Sequence, residues 1–226
     1  RLLPLHVDAY GATLLKDQIE SAGIRVSLGM VSQEILGDRD ASGIGLKGGG
    51  KINASTIIIA AGVRPNLALA GDAGLALDRG LVVDDFLRTS QPRIFAAGDV
   101  AQHRGKSYGI IPASFDQART AAYNVLGQEK KYEGTVPSNT LKVAGLYVTS
   151  VGLTNPDSPG FKEMRKYKKE EGIYKKVVLK EGALVGAIWM GTKKGVNEIS
   201  RAVASNRQVD PWVNSLLEDT FDFSVL

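Results

Sequence analysis

Apolar positions recur along this chain with two periods, and the switches between them mark its elements. Across residues 8–22, Ala12, Leu15, Ile19 and Ala22 fall at helical spacing, with Asp8 placed to cap the start. Gly23 stands where a left-handed residue closes a helix. Residues 24–28 read as a short strand, and Val31, Gln33 and Ile35 alternate as another. Residues 56–61 are a continuous apolar run rich in β-branched side chains, the composition of a parallel strand buried on both faces. Asp78-Arg79-Gly80 is a turn leading into the strand Leu81-Val82-Val83, and Ile94-Phe95-Ala96-Ala97 is a further short strand. A second helix opens at Pro112-Ala113-Ser114-Phe115-Asp116-Gln117. Ser114 with Gln117 forms a capping-box pattern, Phe115, Ala118, Ala122 and Val125 form the stripe expected to be buried, and Gly127 ends it.

From Val136 the pattern changes. Residues 141–143, 146–151, 174–180 and 184–190 are β-like, with Glu181-Gly182 as a hairpin turn. Residues 197–203 read as a short helix, and Asp210-Pro211 opens another that carries Val213, Leu216 and Leu217. A separate α+β domain over residues 136–226 is the economical expectation.

Composition narrows the function classes. With 28 basic and 24 acidic residues in 226, the net charge of +4 is too small to argue for nucleic acid without a concentrated patch. Cysteine is absent, which excludes disulfides, thiolate metal sites and a redox dithiol from this stretch. No apolar run approaches the ~20 residues of a membrane helix. Arg1-Leu2-Leu3-Pro4 lacks the layout of a signal peptide, and there is no initiator methionine. The expectation is a cytoplasmic protein whose upstream part is missing from this stretch.

Candidate chemistry centres on residues 89–99, Thr-Ser-Gln-Pro-Arg-Ile-Phe-Ala-Ala-Gly-Asp. A strand here ends in a glycine and an acid, where open α/β sheets place ligands. Gly98 allows close backbone approach, and Asp99, acceptor-only when ionised, suits the hydroxyls of a sugar or ribitol. A plain strand-and-turn closed by aspartate fits the same letters. Two other patterns mislead. Gly43-Ile44-Gly45-Leu46-Lys47-Gly48 spells a dinucleotide fingerprint, and Gly45 onward begins like a phosphate loop, yet Gly49-Gly50-Lys51 starts no helix and Ile52 occupies the magnesium-ligand position. A glycine-rich hairpin tip is the better reading. Asn53-Ala54-Ser55 is a glycosylation sequon by letters only.

The residues 89–99 resemble the second FAD motif of the pyridine nucleotide-disulfide oxidoreductase superfamily, which gives Asp99 the ribitol of FAD. Ile57-Ile58-Ile59-Ala60-Ala61-Gly62-Val63-Arg64-Pro65-Asn66 resembles the element that precedes this motif in the same family. The fold this implies is α/β. Residues 1–67 would be the C-terminal part of an NAD(P)H-binding domain and residues 68–132 the C-terminal part of an FAD-binding domain, both Rossmann-like and three-layered. The small α+β domain follows. Gly62 would then lie near the nucleotide and Arg64 at the interdomain cleft, although a solvated loop arginine fits equally. The helix opening at Ser114 and Phe115 would aim its N-terminus at the flavin pyrimidine, where its free N–H groups favour negative charge. Asp116 in its first turn would partly offset that field unless it points outward.

Tyr174-Lys175-Lys176-Val177-Val178-Leu179 with Leu184-Val185-Gly186-Ala187 resembles the C-terminal domain of NADH:rubredoxin reductases and nitrite reductase-type flavoproteins. The implied cofactors are FAD and NAD(P)H, and electrons would leave to a small redox protein such as rubredoxin or to another acceptor. FAD carries that chemistry, so no side chain is assigned as catalytic and none as a metal ligand. The C-terminal histidine–glutamate pair of the disulfide reductases is missing, since the two histidines are His6 and His103. His6 reads as structural or solvated, and His103, just after the FAD motif, as structural or functional.

Residues 161–176 concentrate Lys162, Arg165, Lys166, Lys168, Lys169, Lys175 and Lys176 against three glutamates. They read as a solvated face or as a docking patch for an acidic electron carrier. Two rivals to the reductase reading stand beside it: an interaction module without FAD, and an oxidase or peroxidase whose redox cysteine lies upstream.

Overall fold

A computed structural model describes all 226 residues. They form two compact units, one from residues 1–60 with 138–226 and the other from residues 61–137. No helix is long and apolar enough to cross a membrane.

The first helix, α1 (Ala9–Ser21), starts where the Asp8 carboxylate accepts the Gly11 N–H at 2.8 Å. It closes through the bonds Gly23 N–H to Glu20 O (2.9 Å) and Ile24 N–H to Ile19 O (3.3 Å), a Schellman end. The strands β1 (Ser32–Gly37), β2 (Ala41–Leu46) and β3 (Lys51–Asn53) form an antiparallel sheet in that order. Gly48, Gly49 and Gly50 turn β2 into β3 with φ of 90°, 97° and 92°, so the glycine-rich stretch is a hairpin tip and no helix follows it.

The unit of residues 61–137 contains α2 (Ala68–Asp72), β4 (Leu81–Val83), β5 (Ala101–His103) and α3 (Ile111–Val125). β4 and β5 pair in parallel. Its core gathers Ala70, Leu75, Leu81, Val83, Leu87 and Ala96.

The chain then builds β6 (Ser138–Val143), β7 (Leu146–Gly152), β8 (Phe161–Lys168), β9 (Ile173–Lys180), β10 (Ala183–Met190) and α4 (Val196–Ala204). The five strands form one sheet, ordered β6-β7-β10-β9-β8, with every pairing antiparallel. Glu181 and Gly182, at φ of 50° and 79°, make the tight turn between β9 and β10. Side chains alternate across this sheet. Val177, Leu179, Ala187 and Trp189 pack with α4 and the C-terminal residues Leu216, Phe221 and Phe223. Tyr174, Ile188 and Met190 face the other way, onto Val7, Ala12 and Leu15 of the α1 segment.

Several expectations are corrected. Residues 24–28 and 56–61 form no strands, because no neighbouring segment of the chain offers them a hydrogen-bond ladder; Ile58 is 88% exposed. Ile94-Phe95-Ala96-Ala97 is half a strand, held to residues 87–89 by an Arg88–Phe95 bridge and two backbone bonds. Asp210-Pro211 opens only a 3₁₀ turn (Asp210–Trp212) with no side-chain cap.

The basic run of residues 161–176 is not a single solvated face. Most of it lies on β8 and β9, and period-two geometry sends the adjacent Lys175 and Lys176 to opposite faces of the sheet, each 1% exposed. Lys175 reaches the Asp219 carboxylate at 2.8 Å, and Lys176 lies 3.3 Å from both Asp8 and Glu163. Asp8 also accepts the Tyr174 hydroxyl at 2.8 Å and lies 3.7 Å from Arg165. Burial alone would raise the Asp8 carboxyl, yet the Gly11 N–H, the Tyr174 hydroxyl and the Lys176 ammonium together hold it below its usual value.

Asp8→Asn keeps an N-cap oxygen but removes the charge beside Lys176, with an expected loss of about 3 kcal/mol. Both tryptophans, Trp189 and Trp212, belong to this unit, so fluorescence-detected urea unfolding reads it alone. Because the folded Asp8 value lies below the unfolded one, its contribution is full above about pH 4 and fades as pH falls through the folded value. Wild type and variant are therefore expected to converge in strong acid. A difference that persists there contradicts this assignment.

Candidate functional site

The Gly98-Asp99 turn is made by residues that close on each other locally. The Thr89 N–H donates to Ile94 O, the Ile94 N–H to Gln91 O, and the Thr89 hydroxyl to Gln91 O, so residues 89–94 form a tight loop. Gly98 follows at φ 87°, a conformation that costs an L-residue free energy and glycine none. The Ala101 N–H bonds to Gly98 O at 3.0 Å and sends the chain into β5. Asp99 stands in this turn, exposed, with no hydrogen bond or salt bridge to any other residue. Ala96, Ala97 and Val100, on either side of it, line an apolar groove of about 510 Å3.

Helix α3 packs beside the Gly98 turn. A Cβ placed on Gly98 would lie 3.6 Å from the Ser114 Oγ, so the glycine turn and the first turns of α3 are near neighbours. Ser114 is not a cap. It lies inside the helix and donates its hydroxyl to Ile110 O at 3.3 Å, while the N-cap residue is Ile110 and no side chain caps the end. The N–H groups of Ile111 and Ala113 consequently find no acceptor in the chain, and Pro112 has none to offer. Asp116 also departs from expectation. It is beyond the first turn and accepts the Thr135 hydroxyl at 3.2 Å.

The expected apolar stripe of α3 is its exposed face: Phe115 is 67% and Val125 64% exposed, and Ala118 and Ala122 are exposed too. The buried side chains are Ala113, Gln117, Thr120 and Asn124. Loop backbone packs on this face, and loop carbonyls and N–H groups need polar partners when water is excluded. Asn124 donates to Phe86 O (3.0 Å) and Lys130 O (2.8 Å) and accepts the Lys130 N–H (2.9 Å). Gln117 accepts the Gly98 N–H at 2.7 Å. Tyr132 is buried beneath, and burial pushes its phenol up, which keeps it protonated.

His103 is 2% exposed, bonds Asp85 at 2.9 Å and lies 4.9 Å from the Tyr132 ring. Asp85 is also gripped by both Nε and Nη2 of Arg104, and these bonds, with that of His103, hold its carboxyl well below its usual range. His103 is thus an anchor for a loop carboxylate. No three His, Asp or Glu residues are grouped to hold a metal ion.

A family model described as pyridine nucleotide-disulphide oxidoreductase matches residues 1–124, more than half of the chain. The chain belongs to that family. A second model, the rubredoxin NAD+ reductase C-terminal domain, matches residues 137–207. A nitrite reductase [NAD(P)H] of Bacillus subtilis is 36% identical over 199 residues, 88% of this chain and 25% of that protein. An NADH-rubredoxin oxidoreductase of Clostridium acetobutylicum is 30% identical over 210 residues, 92% of this chain and 51% of that protein. Among solved structures, a ferredoxin reductase for the CYP199A2 system from Rhodopseudomonas palustris superposes with a TM-score of 0.83 at 26% identity, covering 100% of this chain and 56% of that one. The chain therefore spans between a quarter and about half of the length of these relatives.

Of the residues that the oxidoreductase motifs single out, the structure brings Gly98, Asp99 and Ser114 together. Phe115, one residue on, points to solvent. Gly62 (φ 88°) and Arg64 are exposed, and neither is hydrogen-bonded to the Gly98 turn. Gln117 and Asn124 were not legible as site residues, since the apolar pattern of α3 points to the opposite face.

Asn124→Leu keeps the branched heavy-atom skeleton but strands two loop carbonyls and an N–H, with an expected loss of about 3 kcal/mol from the unit of residues 61–137. Hydrogen exchange of the α3 amides should accelerate while tryptophan-detected unfolding of the other unit keeps its midpoint. Unchanged α3 exchange would show that Asn124 holds nothing.

Proposed function

We propose that this chain supplies the flavin-gripping turn and the C-terminal domain of an FAD-dependent NAD(P)H oxidoreductase that passes electrons to a small redox protein. One observation carries the reading: a carboxylate without an internal partner, Asp99, stands at a left-handed glycine beside the uncapped start of a fifteen-residue helix. The residues present fit such a group. Asp99 would accept hydrogen bonds from ribitol hydroxyls, and Gly98 would admit the chain without a side chain between. The free N–H groups of Ile111 and Ala113 would face the developing negative charge of the reduced ring, with Ser114 alongside. Bound FAD would supply hydride acceptance from nicotinamide and onward electron transfer. Gly62 would lie near the nucleotide and Arg64 at the interdomain cleft.

FAD titrated into the purified chain should be taken up with quenching of its fluorescence. Asp99→Ala should weaken uptake about tenfold or more, the loss of hydrogen bonds to a charged group. A chain that takes up no FAD has the character of an interaction module, and this reading then fails.

The C-terminal match and the name of the Clostridium relative support a small redox protein as the electron acceptor. Within residues 161–176, Lys166 pairs with Glu218, Lys168 with Glu171 and Asp219, and Arg165 with Glu163. Lys162 and Lys169 alone are exposed and unpaired, so they, rather than Lys168, would steer an acidic carrier. With the chain immobilised, the association rate of reduced rubredoxin should fall with added salt. Reversing both lysines, Lys162→Glu with Lys169→Glu, should lower it on the order of tenfold at low ionic strength. Association that ignores both changes places the carrier elsewhere.

A further inference from the structure

Gln117 is 1% exposed in the middle of α3, and a buried primary amide there needs partners at both ends. The direction of every bond it takes part in can be fixed. The Gly98 N–H can only donate, so the Gln117 Oε1 faces it at 2.7 Å and the Nε2 faces the Tyr132 hydroxyl at 3.5 Å. At the far end the Asp116 carboxylate oxygen accepts, so the single hydroxyl proton of Thr135 goes to it at 3.2 Å. The 2.7 Å bond between the Tyr132 and Thr135 hydroxyls must then be donated by Tyr132. Tyr132 is left as acceptor toward Gln117, which matches the Nε2 that faces it. Five residues, joined by four bonds, thus form a chain with one polarity, running from the Gly98 amide to the Asp116 carboxylate. Bonds aligned in this way polarise one another, and reversing any single group would set donor against donor.

We infer that Gln117 is a positioning residue for the Asp99 turn: it occupies the Gly98 N–H, and Tyr132 with Thr135 keeps its amide from rotating. The Gly98 amide is then withheld from any ligand, and what the turn presents outward is the Asp99 carboxylate at a fixed angle. The nature of that ligand rests on the flavin reading above, whereas the anchor does not. Gln117 touches no cofactor; it acts through Gly98.

The test uses the whole chain and two readouts, amide hydrogen exchange at Gly98 without ligand and the FAD dissociation constant. Gln117→Leu is expected to speed Gly98 exchange about tenfold while α3 amides such as that of Ala121 hold their rates, and to weaken FAD uptake by a similar factor. Gln117→Glu retains an oxygen for the Gly98 N–H and should restore most of that protection, which a role in helix packing alone would not produce. Tyr132→Phe, which frees only the far end of the amide, should give an intermediate Gly98 rate, and it serves where Gln117→Leu does not fold. Unchanged Gly98 exchange in Gln117→Leu, or in Tyr132→Phe where that stands in, overturns the anchor. Faster Gly98 exchange with unaltered FAD uptake overturns the positioning role. If the wild-type chain takes up no FAD, the flavin reading alone falls, and the Gly98 exchange rates still decide for or against the anchor.

Discussion

Helix α3 buries two amides and a threonine along the face where a helix of its length ordinarily buries hydrocarbon, and the loops of its unit are tied to those groups. Residues 61–137 contain little ladder structure: two three-residue strands, two helices and long connections. Connections of that kind carry backbone N–H and C=O groups that lose water as they pack. Asn124 satisfies two separate loop segments, at Phe86 and at Lys130, and Gln117 satisfies Gly98. The turn that presents Asp99 is therefore fixed by a side chain of the helix it faces. In a sheet-bound strand, the ladder would have done the same work.

That arrangement explains what could and could not be read from the letters. Asp8 and Gly23 announced α1 because capping is local chemistry, complete within a few residues. The hairpin of β9 and β10 was visible for the same reason, its Glu181-Gly182 turn lying between two alternating runs. The strands expected at residues 24–28 and 56–61 were read from composition alone, and a strand exists only where a partner lies beside it. The α3 stripe failed differently. Phe115, Ala118, Ala122 and Val125 have helical spacing, but spacing identifies an apolar face without saying what covers it. The groups that needed burial were determined by the loops at residues 84–86 and 130–135, which lie outside the helix and outside its apolar pattern.

The paired lysines show the same limit on the other unit. Seven basic residues in sixteen look like a charged surface when counted along the chain. Folded as β8 and β9 they alternate, and Lys175 and Lys176 enter opposite faces of a sheet covered on both sides. Their acids come from far off, Asp219 from the C-terminal coil and Asp8 from the cap of α1, so nothing near them in sequence predicted the pairing. The Asp8 carboxylate does two jobs at once: it caps the start of α1 and, with Glu163, neutralises a lysine buried in the sheet.

A comparison among the aspartates of the site unit bears most directly on function. Between Leu75 and Thr135, Asp78 accepts from Gln102, and Asp84 accepts the N–H groups of Phe86 and Arg88. In the same stretch, Asp85 holds Arg104 and His103, and Asp116 takes the Thr135 hydroxyl. Each of these carboxylates shapes a turn or ties two segments. Of the aspartates of this unit only Asp99 and Asp72, which ends α2, have no such part, and Asp99 is the one that sits at a turn held from both sides. The fold fixes the backbone beneath it on both sides, through Thr89 and Gln117, and leaves its oxygens without a partner in the chain, as the proposed flavin reading requires. A carboxylate so rigidly mounted has already lost most of the freedom that binding would otherwise cost, which is the physical condition for gripping a flexible polyol.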